Sequence, residues 1–506
     1  MPDLRDIPAR SAETWPHRAA IVDAAGSVDY QTLFQRIETL RAGLSQLGIS
    51  PGQGVGLVAE DGSAFVAGLF AILRAGAVVV PLFHRLPPAE IEHLIRAARL
   101  HAILDDGNLP FDPAGASSQI DVPGEGTFRL TTTQRNPADP LVPQVPDAAF
   151  VRFTSGTTGR PKGVVLSHGP MLDRIAAANR GLDISDRDII LWVLPMAFHF
   201  VVSIVLYLRY GATIVVCPSA QPEVLLETAR RHQVTFFYAS PFHCRVLAAE
   251  PPGPGFPPTL RRVLSTSASL PRAAALAFRE RYGVPVSQAY GIIEVGLPLV
   301  NLDRAVTRPE AVGLPLPDYE VAIRDETGKA VPEGRVGELA VRGPGMFSAY
   351  LDPPQPAEEI LRDGWFFTGD LARRGRDGCV EIAGRAVSRL SAGDEEVFPE
   401  EIEAVLDSHP GVLKSRVLGA GQRPGAFGPA PAAGDRAPGQ AIRAEVVPCD
   451  PAHAPTTGEL SAWCRLHLPT GKVPRTIVRV DRIPETPTGK VARHGGFGGG
   501  EKRKSG

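Results

Sequence analysis

The chain has 506 residues, 43% of them hydrophobic, with 53 Lys and Arg against 55 Asp and Glu. That length exceeds the ~250–300 residues at which a single core stops growing, so two or more domains are expected. Near-neutrality excludes a basic field for nucleic acid, and the five scattered cysteines (Cys217, Cys244, Cys379, Cys449, Cys464), with no CxxC or Cys/His cluster, argue against a disulfide framework or a zinc site.

The start, MPDLRDIPARS, carries no apolar signal core. Helix-like spacing over 30–47, an apolar run at 54–59, a second helical pattern at 64–74 and a buried-strand run at 76–82 (GAVVVPL) then alternate. Such alternation predicts a layered α/β domain. Residues 106–147 are rich in Pro, Gly, Asp and Thr and read as a loop-rich connection. From 148 the strand–helix rhythm returns, with apolar runs at 189–194, 213–217, 234–238 and 286–290. The most apolar stretch, 200–217, is interrupted by Arg209, so no membrane span is expected. Together these features predict a cytoplasmic protein.

Residues 311–383 hold many glycines and short β-type runs, which predicts a smaller β-rich subdomain. A boundary is placed near 384–393. Beyond it a small α+β unit is expected, with a helix over 399–408 (PEEIEAVLDS) that opens on Pro and acids as a helix start should. Residues 419–438 read as a surface loop, and the low-complexity tail from 495 as disordered. The expected division is 1–385, 386–494 and 495–506.

The strongest chemical signal is 153–164, FTSGTTGRPKGV. Gly156, Gly159 and Gly163 free the backbone to wrap a phosphate with its N–H groups. Thr154, Ser155, Thr157 and Thr158 add hydroxyls, and Lys162 adds a positive charge. The spacing does not fit a P-loop NTPase, because Lys162 follows Pro161 and precedes Gly163 rather than Ser or Thr.

This stretch resembles the phosphate loop of the adenylate-forming superfamily: acyl- and aryl-CoA synthetases, peptide-synthetase adenylation domains and firefly-type luciferases. Further matches follow in the family's order over about residues 10 to 494. Tyr290-Gly291-Ile292-Ile293-Glu294 resembles the aromatic-Gly-x-Thr-Glu segment, 337–343 (GELAVRG) a structural strand, 365–370 (WFFTGD) the ribose-binding segment, Gly384-Arg385 the pair before the hinge, and 487–493 (PTGKVAR) the lysine segment. The resemblance implies a large N-terminal adenylation domain and a small mobile C-terminal domain that carries Lys490.

The roles implied are specific. Tyr290 stacks on adenine, Asp370 takes the ribose hydroxyls, and Arg385 reaches the ribose and phosphates. Glu294, with Thr154, holds Mg²⁺ on the phosphates, and Lys490 serves adenylation. Ser267, Ala268, Gln288, Ala289 and Gly291 complete the ATP-binding set with 154–159 and Lys162. The acid pocket is placed at His199, Ala239, Ser240, Ser267 and Gly296, with His199 also counted as catalytic because it borders the carboxylate and helps gate the thiol channel, and the hinge at Val387. An organic carboxylate would attack the α-phosphorus of ATP, giving acyl-AMP and pyrophosphate, and the acyl group would then pass to CoA. The acid segment 194–200 (LPMAFHF) lacks the Asp that amino-acid-activating relatives use, so a hydrophobic acid without an α-amino group, fatty or aromatic, is expected.

Several residues depart from the family pattern. Ile293 replaces a Thr, Thr266-Ser267-Ala268-Ser269 replaces Gly-Gly-Ala-Pro, and Val387 stands where Asp or Lys is usual. Asp394 and Glu396 replace Gly and Asn in the segment that lines the thiol channel. The last group leaves open an adenylation-dominant enzyme whose acceptor is a carrier-protein pantetheine or a second ligase. Ile293 and the altered 266–269 segment also leave open a nucleotide-binding protein without turnover. The oligomeric state is open too, a homodimer included.

Overall fold

The computed structural model of the chain describes residues 3–154, 162–388, 390–392, 395–419, 442–485 and 491. The N-terminal elements follow the sequence period closely. Helix Tyr30–Gln46 starts at Asp29, whose carboxylate accepts from the Thr32 N–H at 2.7 Å, and it buries Leu33, Ile37, Leu40 and Leu44 along one stripe. Helix Ser63–Arg74 is apolar nearly all round and is buried accordingly. Together with strands Gly54–Val58 and Val78–Pro81 it belongs to one sheet-and-helix layer.

Two nine-stranded sheets dominate. The first runs, by neighbours, Leu314–Pro315, Gly296–Val300, Val286–Ile292, Arg262–Ser265, Phe236–Ala239, Ile189–Trp192, Thr213–Val216, Ala19–Asp23 and Gly26–Asp29. Its middle is parallel, with Leu191 against Phe237, Tyr238 against Leu264 and Ser265 against Gln288. The carboxyl ends of these strands therefore lie along one edge, where a doubly wound sheet binds its ligands. The second sheet has Gly54–Val58 at its parallel centre and carries the hairpin Ala148–Thr154/Lys162–Ser167.

A four-stranded antiparallel sheet follows: Glu320–Arg324, Gly337–Arg342, Phe366–Arg374 and Val380–Arg385. This is the β-rich region expected from 311–383. The last core is separate and draws on residues from Leu390 to Ile477. Strand Val412–Gly419 pairs antiparallel with Ile442–Pro448, which pairs parallel with Thr476–Arg479, and helices Pro399–Asp407 and Thr457–His467 complete that unit. The mixed α/β architecture, a large N-terminal part with a small C-terminal one, is the fold class the sequence predicts. Arg245, on helix Pro241–Ala248, ties the two parts: it donates to the carbonyls of Leu413 and Val412 and lies 3.5 Å from Asp407.

One stretch departs from expectation. The loop-rich reading of 106–147 misses a hairpin, Ala116–Val122 with Gly126–Thr132. Ile120, Val122, Phe128 and Leu130 face the core, while Ser117, Ser118, Gln119, Asp121 and Thr127 are exposed. A strand wet on one side has half its residues polar, and the turn residues at 123–126 lowered the apolar content further. The expected loop over 419–438 lies outside the described residues, save Gly419, and so does the tail. No helix among the described residues is long and apolar enough to cross a membrane.

Candidate active site

Sheet topology gathers the site. The parallel strands end at Trp192, Ala239, Ser265 and Ile292, so the segments 193–199, 266–269 and 290–294 converge on one edge. The four-stranded sheet approaches from the other side with Asp370 and Arg385 paired across neighbouring strands.

At this second flank, Asp370 is 5% exposed and carries two partners. The Tyr290 hydroxyl donates to its Oδ2 at 2.6 Å, and Arg385 Nε lies 3.1 Å from Oδ1. The Asp370 N–H donates to the Thr368 hydroxyl at 3.1 Å, which fixes the strand locally. Burial first, then the adjacent Asp370, hold the Tyr290 hydroxyl well above the usual phenol range, so it stays a proton donor. The result is a buried carboxylate edged by an aromatic ring and a guanidinium.

Glu294 sits on a braced loop. Arg174, 1% exposed, donates to the Ile293 carbonyl at 2.8 Å and to the Gly345 carbonyl from Nε at 2.8 Å. The Phe347 N–H donates to the Glu294 carbonyl at 2.8 Å. Gly291 allows the close packing here: a Cβ on it would stand 2.5 Å from the Gly296 carbonyl oxygen. With its backbone fixed, Glu294 presents its carboxylate, which accepts from the Tyr350 hydroxyl at 3.2 Å. Lys162 Nζ lies 4.9 Å from the centre of the Tyr350 ring. Thr154 pairs with Lys162 across the hairpin, so the segment 155–161 is flanked by residues that lead, through Tyr350, to Glu294. Among the described residues no three His, Cys, Asp or Glu side chains gather as a metal site.

The remaining edge is aromatic. His199 Nε2 lies 3.4 Å from the Ser267 hydroxyl, and its ring meets Tyr238 edge-on at 6.4 Å. Tyr238 stacks on the buried Trp192 at 5.1 Å. Ser267 has φ +79°, a conformation that favours glycine, at the position where the resembling family carries one. The His199 loop is held by Asp61, which accepts from the Met196 N–H at 2.8 Å, and by a π-helical turn, Phe200–Ile204, that begins beside it. Burial pushes the Asp61 carboxyl up to about 6. Arg152 enters from strand Ala148–Thr154 and donates to the Phe198 carbonyl.

The sequence-chosen residues divide accordingly. Tyr290, Gly291, Glu294, Asp370, Arg385, Lys162, His199 and Ser267 come to this edge, and Ala268 is exposed beside it. Others are engaged elsewhere. Gln288 is buried and bonded to the backbone of Leu270 and Pro309, a bracing role for its side chain. The Ser240 hydroxyl caps helix Pro241–Ala248, 2.8 Å from His243 Nδ1. Ala239 packs in the core on the opposite face from Tyr238. Gly296 turns its open side to Tyr319 and Arg174. Ala289 is buried against the neighbouring strand, paired with Val300. Ser155, Gly156, Thr157, Thr158, Gly159, Lys490 and Asp394 lie outside the described residues; Thr154 is described by its pairing alone, and Val387 by its place in the short turn Ala386–Ser388.

Motif reading missed Arg152, Arg174 and Tyr350. Arg152 had a signal, as the one charge in an otherwise apolar strand, AAFVRFT. Arg174, on an amphipathic helix, and Tyr350 had none.

Comparison with known proteins identifies the family and the fold. A family described as AMP-binding enzyme matches residues 8–351, and one described as AMP-binding enzyme C-terminal domain matches 430–490. A feruloyl-CoA synthase of an Amycolatopsis species is 30% identical over 501 residues, 97% of both chains. Among solved structures, a benzoate CoA ligase from Burkholderia xenovorans LB400 superposes with TM-score 0.79 at 26% identity, covering 97% of this chain and 99% of that one. The amide bond synthetase McbA from Marinactinospora thermotolerans superposes with TM-score 0.74 at 27% identity, covering 96% and 98%.

Proposed function

Since the chain belongs to the AMP-binding enzyme family and is an acid–thiol ligase of the AMP-forming type, we propose that it joins a hydrophobic, non-amino carboxylic acid, aromatic acids foremost, to CoA through an acyl-adenylate. The observation that carries this reading is the meeting, on one sheet edge, of the Lys162–Tyr350–Glu294 chain with the Tyr290–Asp370–Arg385 cluster.

The chemistry follows from the placement. Asp370 takes the ribose hydroxyls as a buried acceptor, and Tyr290 flanks the base. Glu294 offers one carboxylate, which among the described residues accepts a single hydrogen bond, from Tyr350. A single carboxylate suits Mg²⁺, which keeps waters and phosphate oxygens in the rest of its shell. Glu294, with Thr154, would hold that ion, whose charge offsets the negative charge that builds on the phosphates. The substrate carboxylate then attacks the α-phosphorus. A C–O–P link forms, the bond to the β-phosphate oxygen breaks, and pyrophosphate leaves. Lys490 supplies further positive charge in that step. A thiol next attacks the acyl carbon and AMP departs. ATP and CoA as substrates favour a cytoplasmic site of action.

Support for an aromatic acid comes from the Tyr238 ring stacked on Trp192 and from the relatives named for feruloyl and benzoate. No carboxylate stands at 198–199 to receive an ammonium group. ATP–pyrophosphate exchange across benzoates, cinnamates, fatty acids and amino acids tests the reading: exchange driven by aryl acids is expected. Binding of ATP with no acid-dependent exchange would instead make the protein a nucleotide-binding module.

A second reading concerns the acceptor. The departures at Val387, Asp394 and Glu396 and the likeness to an amide bond synthetase favour slow thioester formation with release to another nucleophile. Mass spectrometry of acyl-AMP, acyl-CoA and amide after incubation with CoA and simple amines separates the two. Rapid, complete acyl-CoA formation would end the second reading.

A further inference from the structure

We propose that Arg152 is the dock for the substrate carboxylate, an inference that rests on the adenylation reading above. The placement is dictated by strand geometry. Phe150, two residues earlier on the same face of strand Ala148–Thr154, meets Phe200 edge-on at 4.4 Å. Arg152 therefore points into the same space, toward the segment 198–200. Its guanidinium donates to the Phe198 carbonyl, and the charged or polar groups facing it are Glu294, Tyr238 and, behind them, Arg174. Those neighbours span the site: Glu294 is the carboxylate nearest the phosphates, and Tyr238 and Phe198 border the acid pocket.

The guanidinium is incompletely satisfied. Nε is buried with no hydrogen-bond partner, and no carboxylate pairs with Arg152 among the described residues. Burial pulls the group down to about 10, with Glu294 acting in the opposite sense. A half-buried cation with an unpartnered donor turned inward is unfavourable unless an anion completes its fork. A planar carboxylate does so with two parallel bonds.

The step balances without a proton. One carboxylate oxygen stays on Arg152 while the other forms the new bond to the α-phosphorus, and pyrophosphate leaves with the electron pair of the broken bond. In the acyl-adenylate the held oxygen becomes the carbonyl oxygen, so the same donors then polarise the carbonyl for attack by the thiol.

The test uses full-length Arg152→Lys, Arg152→Gln and Arg152→Met, each checked for a wild-type thermal transition. Acid KM and ATP KM are read by pyrophosphate exchange, and acid binding without ATP by calorimetry. In Met and Gln variants we expect acid KM to rise about 10–100-fold with ATP KM within about threefold, and Lys to recover most of the loss. The rise should be equal for acids that share only the carboxylate. A Gln variant as good as Lys would reduce Arg152 to a brace for the Phe198 carbonyl and overturn the proposal. So would a loss confined to acids with a particular ring substituent. An unaffected Met variant of an active enzyme sinks this proposal alone, whereas a wild type inert toward every acid sinks the adenylation reading as well.

Discussion

The two ends of the site are built differently. At the end proposed for the nucleotide each group is fixed by a short-range partner: Asp370 by Tyr290 and Arg385, and the Glu294 backbone by Arg174 and Phe347. At the end proposed for the acid the residues lean on loops: His199 on Ser267 and Asp61's hold of Met196, and Arg152 on the Phe198 carbonyl. ATP is common to every acid, so its end can be set in sheets and motifs. The acid varies, and its end is left to segments between strands, which can change without disturbing the layers that carry them.

The contrast can be broken most forcefully at Lys490. Lys490→Ala should cut adenylation about 10²–10³-fold, as removal of one charge-stabilising donor does, while calorimetry shows ATP binding weakened only a few-fold. Near-wild-type pyrophosphate exchange in that variant would remove Lys490 from the chemistry. Next, Asp370→Ala should weaken AMP binding by about 2–3 kcal/mol, the worth of hydrogen bonds to a charged acceptor, with acid binding unchanged. Equal loss of both ligands would deny that the two ends are separate.

The acid end has its own pH signature. The Asp61 carboxyl holds its proton more tightly folded than unfolded, at about 6 against 3.8, so the stability it lends falls as pH rises between those values. Asp61→Asn keeps the acceptor for the Met196 N–H. It should therefore be more stable than wild type at pH 7 by about 1–2 kcal/mol, with a shallower fall between pH 4 and 6. Asp407, also raised to about 6, keeps part of that fall in the variant. A variant with an unchanged pH profile in urea melts would contradict this. The smallest effect belongs to Ser267→Gly, which relieves the left-handed backbone and should gain about 0.5–1 kcal/mol in urea melts, at some cost in acid affinity through the lost His199 contact.

Legibility from sequence follows the same division. That Tyr290, Glu294 and Asp370 belong together was legible because they stand in short contiguous segments at fixed spacings, and the structure brings them to one edge. Ser240, Ala239 and Gln288 were assigned from segments near the pocket, but a strand shows alternate residues to opposite faces, and a residue after a strand can serve as a helix cap. Which of those uses wins is decided by tertiary neighbours such as His243 and Pro309. Arg152 and Arg174 stand far along the chain from the groups they touch; Arg152 shows only as the one charge in an apolar strand, which names no partner, and Arg174 has no local mark at all. The layered architecture was legible through its periodicity, except where the hairpin at 116–132 dilutes its apolar face with turn residues.

The pairing of Asp370 with Tyr290 and Arg385 has a consequence for the end of the catalytic cycle. Each oxygen of Asp370 has a protein partner, Tyr290 on one and Arg385 on the other, so the carboxylate does not depend on a ribose for company in the interior. A site furnished in this way can grip its nucleotide and still let the spent one go quickly.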